Sequence, residues 1–370
     1  MRMKKPRRFI DVDQVFSIKL SSIIQFLEKL EKTNSEIWSD EIGAVKISIT
    51  EHLSIDKLLN QYGTYVSIIS PLLKKISNTI TNIGSDDLNN CRYVFSIGAH
   101  AEHNLAKERL FPIPIKKRPY LITIPVPLSN DSFFTNRSSP HLADIRSASR
   151  ETIYPSETIV ALNILSQLDR KLNAHGIGEW VGLYYSLRDW STINEVSLSA
   201  CFIRTIVNNT IDLWNSYHKN EKLWLKRLAI NLLLKCLVMR IAGTNDIGSG
   251  GDHLLAYALQ DKIETNKALK QRLSHGEYVY LGAILMAALF PEWEYDCYSL
   301  NSILQLGIET GILRIKVFNY AINMLSDEMI EHALRTRAKR LTMLSRLSHA
   351  QIKNARIKLS TILRTNLYAK

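Results

Sequence analysis

Cysteine is scarce in this sequence: the 370 residues hold only Cys91, Cys201, Cys236 and Cys297. They are widely scattered, with no CxxC spacing, so neither a disulfide framework nor a zinc finger is expected, and a reducing cytoplasm suits the chain. Long apolar runs are missing too. The most apolar stretch, Tyr278 to Phe290, stops short of the roughly 20 residues needed to cross a bilayer. The basic N-terminal cluster of Arg2, Lys4, Lys5, Arg7 and Arg8 is not followed by an uninterrupted apolar segment, because Asp11, Asp13 and Lys19 intervene. A signal peptide is therefore not expected. No recognised nucleic-acid module or aromatic-interleaved basic motif is present, which argues against a nucleic-acid partner.

What is there points to a soluble cytoplasmic protein with a small-molecule partner and no membrane insertion. A hydrophobic content of 46% supports globular cores, and the length exceeds that at which single cores stop growing, so two domains are expected. The formal charge of +12 is unevenly spread, with basic residues in the N-terminal tip and again over the last forty, including Arg335, Arg337, Lys339 and Arg340. These read as solvated faces that help to draw in phosphorylated substrates.

In order along the chain, residues 14 to 32 have apolar positions near a helical period. Val45 to Ile49 and Tyr65 to Ile69 read as strands, Ile55 to Tyr62 and Pro71 to Ile80 as helices. Then come the apolar strand Tyr93 to Gly98, the helix Ala101 to Leu110 and the buried strand Tyr120 to Pro125. Such alternation predicts a parallel sheet covered on its faces. A Ser, Arg and Pro-rich linker from Asn136 to Pro155 closes this part. Helical periods follow over Thr158 to Lys171, Glu179 to Trp190, Ser197 to Tyr217 and Glu221 to Ala242, and continue through Thr361. The expected domains are an α/β unit over residues 1–155 and an all-α unit over residues 156–370.

Two histidines stand in unusual company in the second unit. Ser249-Gly250-Gly251-Asp252-His253 opens the helical run Leu254 to Leu259, and His275-Gly276-Glu277 opens Tyr278 to Phe290. Histidines in the first turns of two neighbouring helices can share one gap and so hold a divalent metal. Either can equally serve as an ordinary cap or core residue. Glycines ahead of a helix allow close approach to a ligand.

These segments resemble the superfamily of iron-containing alcohol dehydrogenases, glycerol-1-phosphate dehydrogenases and dehydroquinate synthases, whose members carry Ser-Gly-x-Glu-His and His-Gly-Glu-x-Val-x-x-Gly. The second pattern is met at every fixed position by His275 to Gly282. Gly176-Ile177-Gly178-Glu179, with Asp189-Trp190, is similar to the Gly-x-Gly-Asp segment and Asp-Trp pair of the glycerol-1-phosphate branch. Arg340-Leu341-Thr342-Met343-Leu344 is similar to a terminal Arg-Tyr-Thr-Ile-Leu. The resemblance runs over about residues 90 to 345. It implies a dehydroquinate synthase-like fold, α/β then all-α, with Glu179, His253 and His275 as ligands of one metal. The dehydrogenase branch has Asp at the first of these positions and the cyclase branch has Glu.

The resemblance also implies where a dinucleotide would lie. The glycine turn Gly-Gly-Gly-x-x-x-Asp-x-x-Lys corresponds to Gly98-Ala99-His100-Ala101-Glu102 and on to Asn104 and Lys107, with only the first glycine and the lysine kept. Nucleotide contacts map to Gly98, Ala99, His100, Ala101 and Glu102, and to Val126, Pro127, Leu128, Ser129 and Thr135. Substrate hydroxyls map to Asp131. Tyr257 stands where the glycerol-1-phosphate branch has a second His, so the natural substrate can differ from glycerol-1-phosphate. The function expected is a metal-dependent, NAD- or NADP-linked dehydrogenase of a small polyol phosphate or ketose phosphate. Zinc is the first choice by ligand type, though nitrogen and oxygen donors also serve iron or nickel. Two alternatives stand beside it. One is a sugar phosphate cyclase or lyase, favoured by Glu179; the other is a non-catalytic relative without cofactor binding, suggested by Ala99, His100, Asn104 and Val126. A homo-oligomer is compatible with all three.

Overall fold

The computed structural model describes residues 37–39, 45–62, 65–69, 88, 91–138, 141–142, 145–146, 150–266, 273–337 and 340–367. The helices expected over residues 14 to 32 and 71 to 80, and the basic N-terminal tip, lie outside these. A six-stranded sheet organises the N-terminal part. Its strands are β1 (Ile37–Ser39), β2 (Val45–Thr50), β3 (Tyr65–Ile69), β4 (Tyr93–Gly98), β5 (Tyr120–Pro125) and, after four two-residue strands (β6 Arg137–Ser138, β7 His141–Leu142, β8 Ile145–Arg146, β9 Arg150–Glu151), β10 (Glu157–Ala161). The spatial order is β1-β2-β10-β5-β4-β3. All neighbours run parallel except β1, which pairs antiparallel along the edge. Helix α1 (Ile55–Gln61) follows β2, and α2 (His100–Leu110) follows β4.

One expectation is corrected here. Thr158 to Lys171 was read as helical, but Glu157–Ala161 form a central strand, in register with Lys46–Thr50 on one side and with Ile122 and Thr123 on the other. A strand covered on both faces of a parallel sheet loses the alternation that marks a half-buried strand, and Thr158–Ala161 are buried without a break. Here it runs straight into the short helix α3 (Leu162–Leu165), so the two blend into one helical-looking stretch. The sheet therefore continues past residue 155.

From Arg170 onward the regular elements among the described residues are all helices. Helices α4 (Arg170–Asn194), α5 (Ala200–Lys219), α6 (Glu221–Ala242), α7 (Gly251–Thr265) and α8 (His275–Leu289) build the main core, and α9 (Leu300–Glu309), α10 (Ile315–Met324), α11 (Asp327–Thr336) and α12 (His349–Ile362) wrap it. No helix among the described residues is long and apolar enough to cross a membrane. Helix α8 is buried on all sides, in keeping with its unbroken apolar sequence. Helices α4, α7 and α8 approach backbone to backbone. A Cβ on Gly178 would lie 1.9 Å from the Gly276 carbonyl oxygen, and one on Gly282 would lie 2.0 Å from that of Asp252. These glycines bring helix against helix rather than opening space for a ligand.

Candidate metal centre

The close helix contacts carry Glu179, His253 and His275 into one cleft. Glu179 sits in the third turn of α4, not at a helix start, while both histidines lie in the first turns of α7 and α8 as expected. His275 Nε2 is 3.3 Å from Glu179 Oε1, and His253 Nε2 is 3.5 Å from Glu179 Oε2. One donor atom from each of the three residues lies within 4.8 Å of the others. Two ligands on a tetrahedral zinc with bonds of about 2.1 Å stand about 3.4 Å apart; the two carboxylate–imidazole contacts are of that size, each to a different oxygen of Glu179, and the three single donors span up to 4.8 Å. The donor set, two imidazoles and a carboxylate, is that of open catalytic sites.

Each of these candidate ligands is held from behind. Asp252 accepts from His253 Nδ1 at 2.8 Å, which keeps the proton on that nitrogen and turns the Nε2 lone pair toward the cleft. Asp252 is itself fixed by Ser186 Oγ at 2.6 Å and the Gly250 amide at 3.0 Å. Burial alone would lower the pKa of His253, yet Asp252 and Glu179 bring it above the usual value. Burial draws His275 down, against the pull of Glu179, which leaves its ring neutral and able to bind a cation. Glu277 closes a capping box with Ser274 and accepts from Arg314 Nε at 2.6 Å, anchoring the first turn of α8. Asp189 joins three segments by accepting from the Gly251 amide at 2.7 Å and the Met343 amide at 2.6 Å.

Lys235, which sequence reasoning missed, is the cation already at the centre. It is 1% exposed, donates to Glu179 Oε2 and lies 3.2 Å from Asp131 Oδ2. Burial disfavours its charge, but Asp131 and Glu179 more than compensate, and its pKa is raised. Glu179, although fully buried, is held well below the usual carboxylate range, with Lys235 the strongest of the opposing influences. The signal in the sequence was a lone lysine inside the apolar run Asn231 to Met239, since a fully buried lysine is rare unless paired.

The other expected site residues divide into two groups. Asp131, Thr135, His100 and Tyr257 line the same cleft. Tyr257 stacks on the His275 ring at 5.9 Å between centroids and accepts from Arg337 Nη2 at 3.0 Å; the His100 ring lies 6.3 Å from that of His275. Val126, Pro127 and Leu128 are packed into the core, and Ser129 is partly buried and does not line the cleft. At the turn after β4, the Glu102 carboxylate accepts from the Ala99 amide at 2.8 Å, beside Gly98, while Ala101 faces solvent. The expected Lys107 is buried and donates to the carbonyls of Ser132, Thr135 and Arg137, fixing the loop that carries Asp131. The basic C-terminal segment is not uniformly a solvated face. Arg335 is exposed, whereas Arg337 lines the cleft, and Arg340 packs on Ser249 and Asp246 with its side chain 9% exposed.

No family model matches the chain. Glycerol-1-phosphate dehydrogenase [NAD(P)+] of Pyrobaculum neutrophilum is 26% identical over 237 residues, which are 61% of this chain and 67% of that protein. The same-named protein of Metallosphaera sedula is 26% identical over 241 residues, 60% of this chain and 64% of that one. The chain thus spans about two thirds of the length of these curated relatives. Among solved structures, a probable glycerol dehydrogenase from Sinorhizobium meliloti superposes with a TM-score of 0.60 at 10% identity, covering 84% of this chain and 94% of that one. An iron-containing alcohol dehydrogenase from Thermotoga maritima gives 0.51 at 13%, covering 82% and 94%. A 2-deoxy-scyllo-inosose synthase gives 0.51 at 13%, covering 78% and 88%. The structural likenesses show the shared α/β-then-helical fold, and the curated relatives agree with the superfamily resemblance carried by the histidine motifs.

Proposed function

We propose that this relative of the glycerol-1-phosphate dehydrogenases is a metal-dependent, NAD(P)-linked dehydrogenase that interconverts the ketone and secondary alcohol of a small phosphorylated polyol. The observation that carries the reading is the convergence of Glu179, His253 and His275 on one point of a cleft. Glu179, His253 and His275 would hold a divalent ion, zinc by donor type, which supplies Lewis-acid polarisation of a carbonyl or alkoxide oxygen. Asp131 accepts hydrogen bonds from substrate hydroxyls, held in place by Lys235 on one side and by the Lys107-clamped loop on the other. The phenol of Tyr257, positioned by Arg337 and by stacking on His275, presents a hydroxyl at the edge of the same space. Lys235 offsets the carboxylates of Glu179 and Asp131, so the buried site is not left with uncompensated negative charge.

A dinucleotide would meet the turn after β4 and the first amides of α2, where an anion is favoured by the free N–H groups and the helix dipole. That this turn already receives the Glu102 carboxylate supports its capacity for an anion. It also means that a pyrophosphate must displace Glu102. Elemental analysis of the purified chain and of Glu179→Gln, His253→Ala and His275→Ala tests the metal reading: about one equivalent of transition metal in wild type should be largely lost in each variant. Incubation with dihydroxyacetone phosphate while following NADH absorbance and product mass tests the reaction. Net NADH consumption is expected. Product without net consumption would favour the cyclase reading, for which the Glu at position 179 speaks. No binding of NADH or NADPH at millimolar concentration would favour a relative that has lost the cofactor.

A further inference from the structure

The space around the metal triad is small, about 80 Å³. It adjoins a second chamber of about 200 Å³, and Thr135, Arg137, Met239 and Asn245 line both. We propose that this second chamber is an anion subsite that takes the phosphate of the substrate between Arg137 and Arg240, while the reacting carbon lies at the triad. The proposal rests on the polyol phosphate reading above and gives that reading a place for the charged end of the molecule.

Three observations carry it. First, Arg240, in the last turn of α6, is spread over the Tyr154 ring with its guanidinium carbon 4.3 Å from the centroid. Its Nη1 is buried without a hydrogen-bond partner among the described residues. A buried guanidinium nitrogen without an acceptor is costly, and a phosphate oxygen is the acceptor its planar fork suits. Second, Arg137 enters the same chamber from a loop that cannot easily retreat, since its own carbonyl is held by the buried Lys107 Nζ at 2.5 Å. Third, the one carboxylate in the lining, Glu151, is engaged by Asn136 Nδ2 at 2.9 Å, so the chamber has two cations against a single carboxylate that already has a partner. Arg240 lies five residues beyond Lys235 on α6, about 7.5 Å along the helix axis. A phosphorylated chain anchored there can lay its carbonyl toward Glu179 past the residues that line both spaces.

The test is calorimetric titration of the full chain with inorganic phosphate and, separately, with dihydroxyacetone phosphate, for wild type, Arg240→Gln, Arg240→Lys and Arg337→Gln. Metal content and unfolding temperature are measured in parallel. The expected result is phosphate binding weakened at least tenfold in Arg240→Gln and partly restored in Arg240→Lys, with metal content as in wild type. The KM for the phosphorylated substrate should rise by a similar factor, while kcat changes much less. Equal phosphate affinity in wild type and Arg240→Gln, or loss confined to Arg337→Gln, overturns the proposal. Phosphate binding that depends on Arg240 without any change in KM overturns the substrate assignment, because the chamber would then hold free anion. Arg240-dependent binding of both ligands in a protein that retains no metal leaves the chamber standing and removes the dehydrogenase reading instead.

Discussion

Replacing Asp252 with Asn alters one oxygen and no volume, and it should weaken metal binding by reversing a single hydrogen bond. In the native arrangement Oδ1 accepts from Ser186 Oγ and the Gly250 amide, and Oδ2 accepts from His253 Nδ1–H. An Asn at this position must place its remaining oxygen on one side or the other. If the oxygen faces Gly250, the NH₂ group meets His253 Nδ1, which must then give up its proton to Nε2, and the metal-facing nitrogen becomes a donor. If the oxygen faces His253, the NH₂ group opposes the Gly250 amide, two donors head to head in a fully buried site. The first choice removes the Nε2 lone pair from the cleft, and the second leaves a buried pair of donors unsatisfied. Loss of such an outer partner typically weakens metal affinity by about 10–100-fold, which corresponds to about 1.4–2.7 kcal/mol. Competition of wild type and Asp252→Asn against a chromophoric chelator for zinc measures this directly, with thermal unfolding of the metal-free proteins as a control for folding. Equal zinc affinity in the two, with intact folding, would refute the claim that Asp252 sets the His253 tautomer for a metal.

Two further perturbations address groups that the sequence did not single out. Lys235→Met leaves Glu179, 2% exposed, beside Asp131 without their shared cation; an uncompensated buried charge costs about 3–5 kcal/mol, so the metal-free unfolding temperature should drop and added zinc should restore more of it than in wild type. An unchanged metal-free unfolding temperature would show that Lys235 is not the counter-ion. His103 is fully buried beside Ser96 and has its pKa well below the usual value, chiefly through desolvation and then through Lys107. Because the unfolded chain takes up this proton near pH 6.5 while the native ring stays neutral, stability is complete above that pH. It falls below it by up to about 1.4 kcal/mol per pH unit until the native ring also titrates. Denaturant unfolding between pH 7 and 5 should show a shallower decline in His103→Gln, and identical slopes would count against the assignment.

Much of the frame could be read directly from residue patterns, for identifiable reasons. Strands β4 and β5 and helix α6 have the bounds their sequences predict, because a short apolar run ending at a glycine or proline, and a long apolar period opened by Asn220 and closed by Gly243, leave little choice. The pairing of His253 with His275 was legible because each opens a helix, whereas Glu179 joined them only through the superfamily resemblance of its glycine-marked segment. Strand β10 was not legible, since burial on both faces removed its alternation. Lys235 was hidden by its apolar neighbours, although those neighbours were themselves the clue. Glu102 capping α2 was missed because the capping position is Ala99, whose side chain cannot complete the usual Ser or Thr pattern. The tertiary roles of Arg337 and Arg340 depend on where the chain returns after α11, which no local pattern encodes.

Two buried lysines explain how the halves of the molecule act as one site. Lys107, on the helix after β4, gathers the carbonyls of Ser132, Thr135 and Arg137 and so shapes a loop that belongs to the sheet-bearing half. Lys235, on α6 of the helical half, reaches the carboxylate of Asp131 in that loop while it holds Glu179 on α4. The contact between Lys235 and Asp131 therefore links loop and triad through charge. The glycines at 178 and 276 fix the same registration through backbone contact, since neither α4 nor α8 can shift without a collision or a gap at Gly178. A substitution that disturbs only the loop clamp should therefore be felt at the triad through Asp131, even though Lys107 touches none of its three residues.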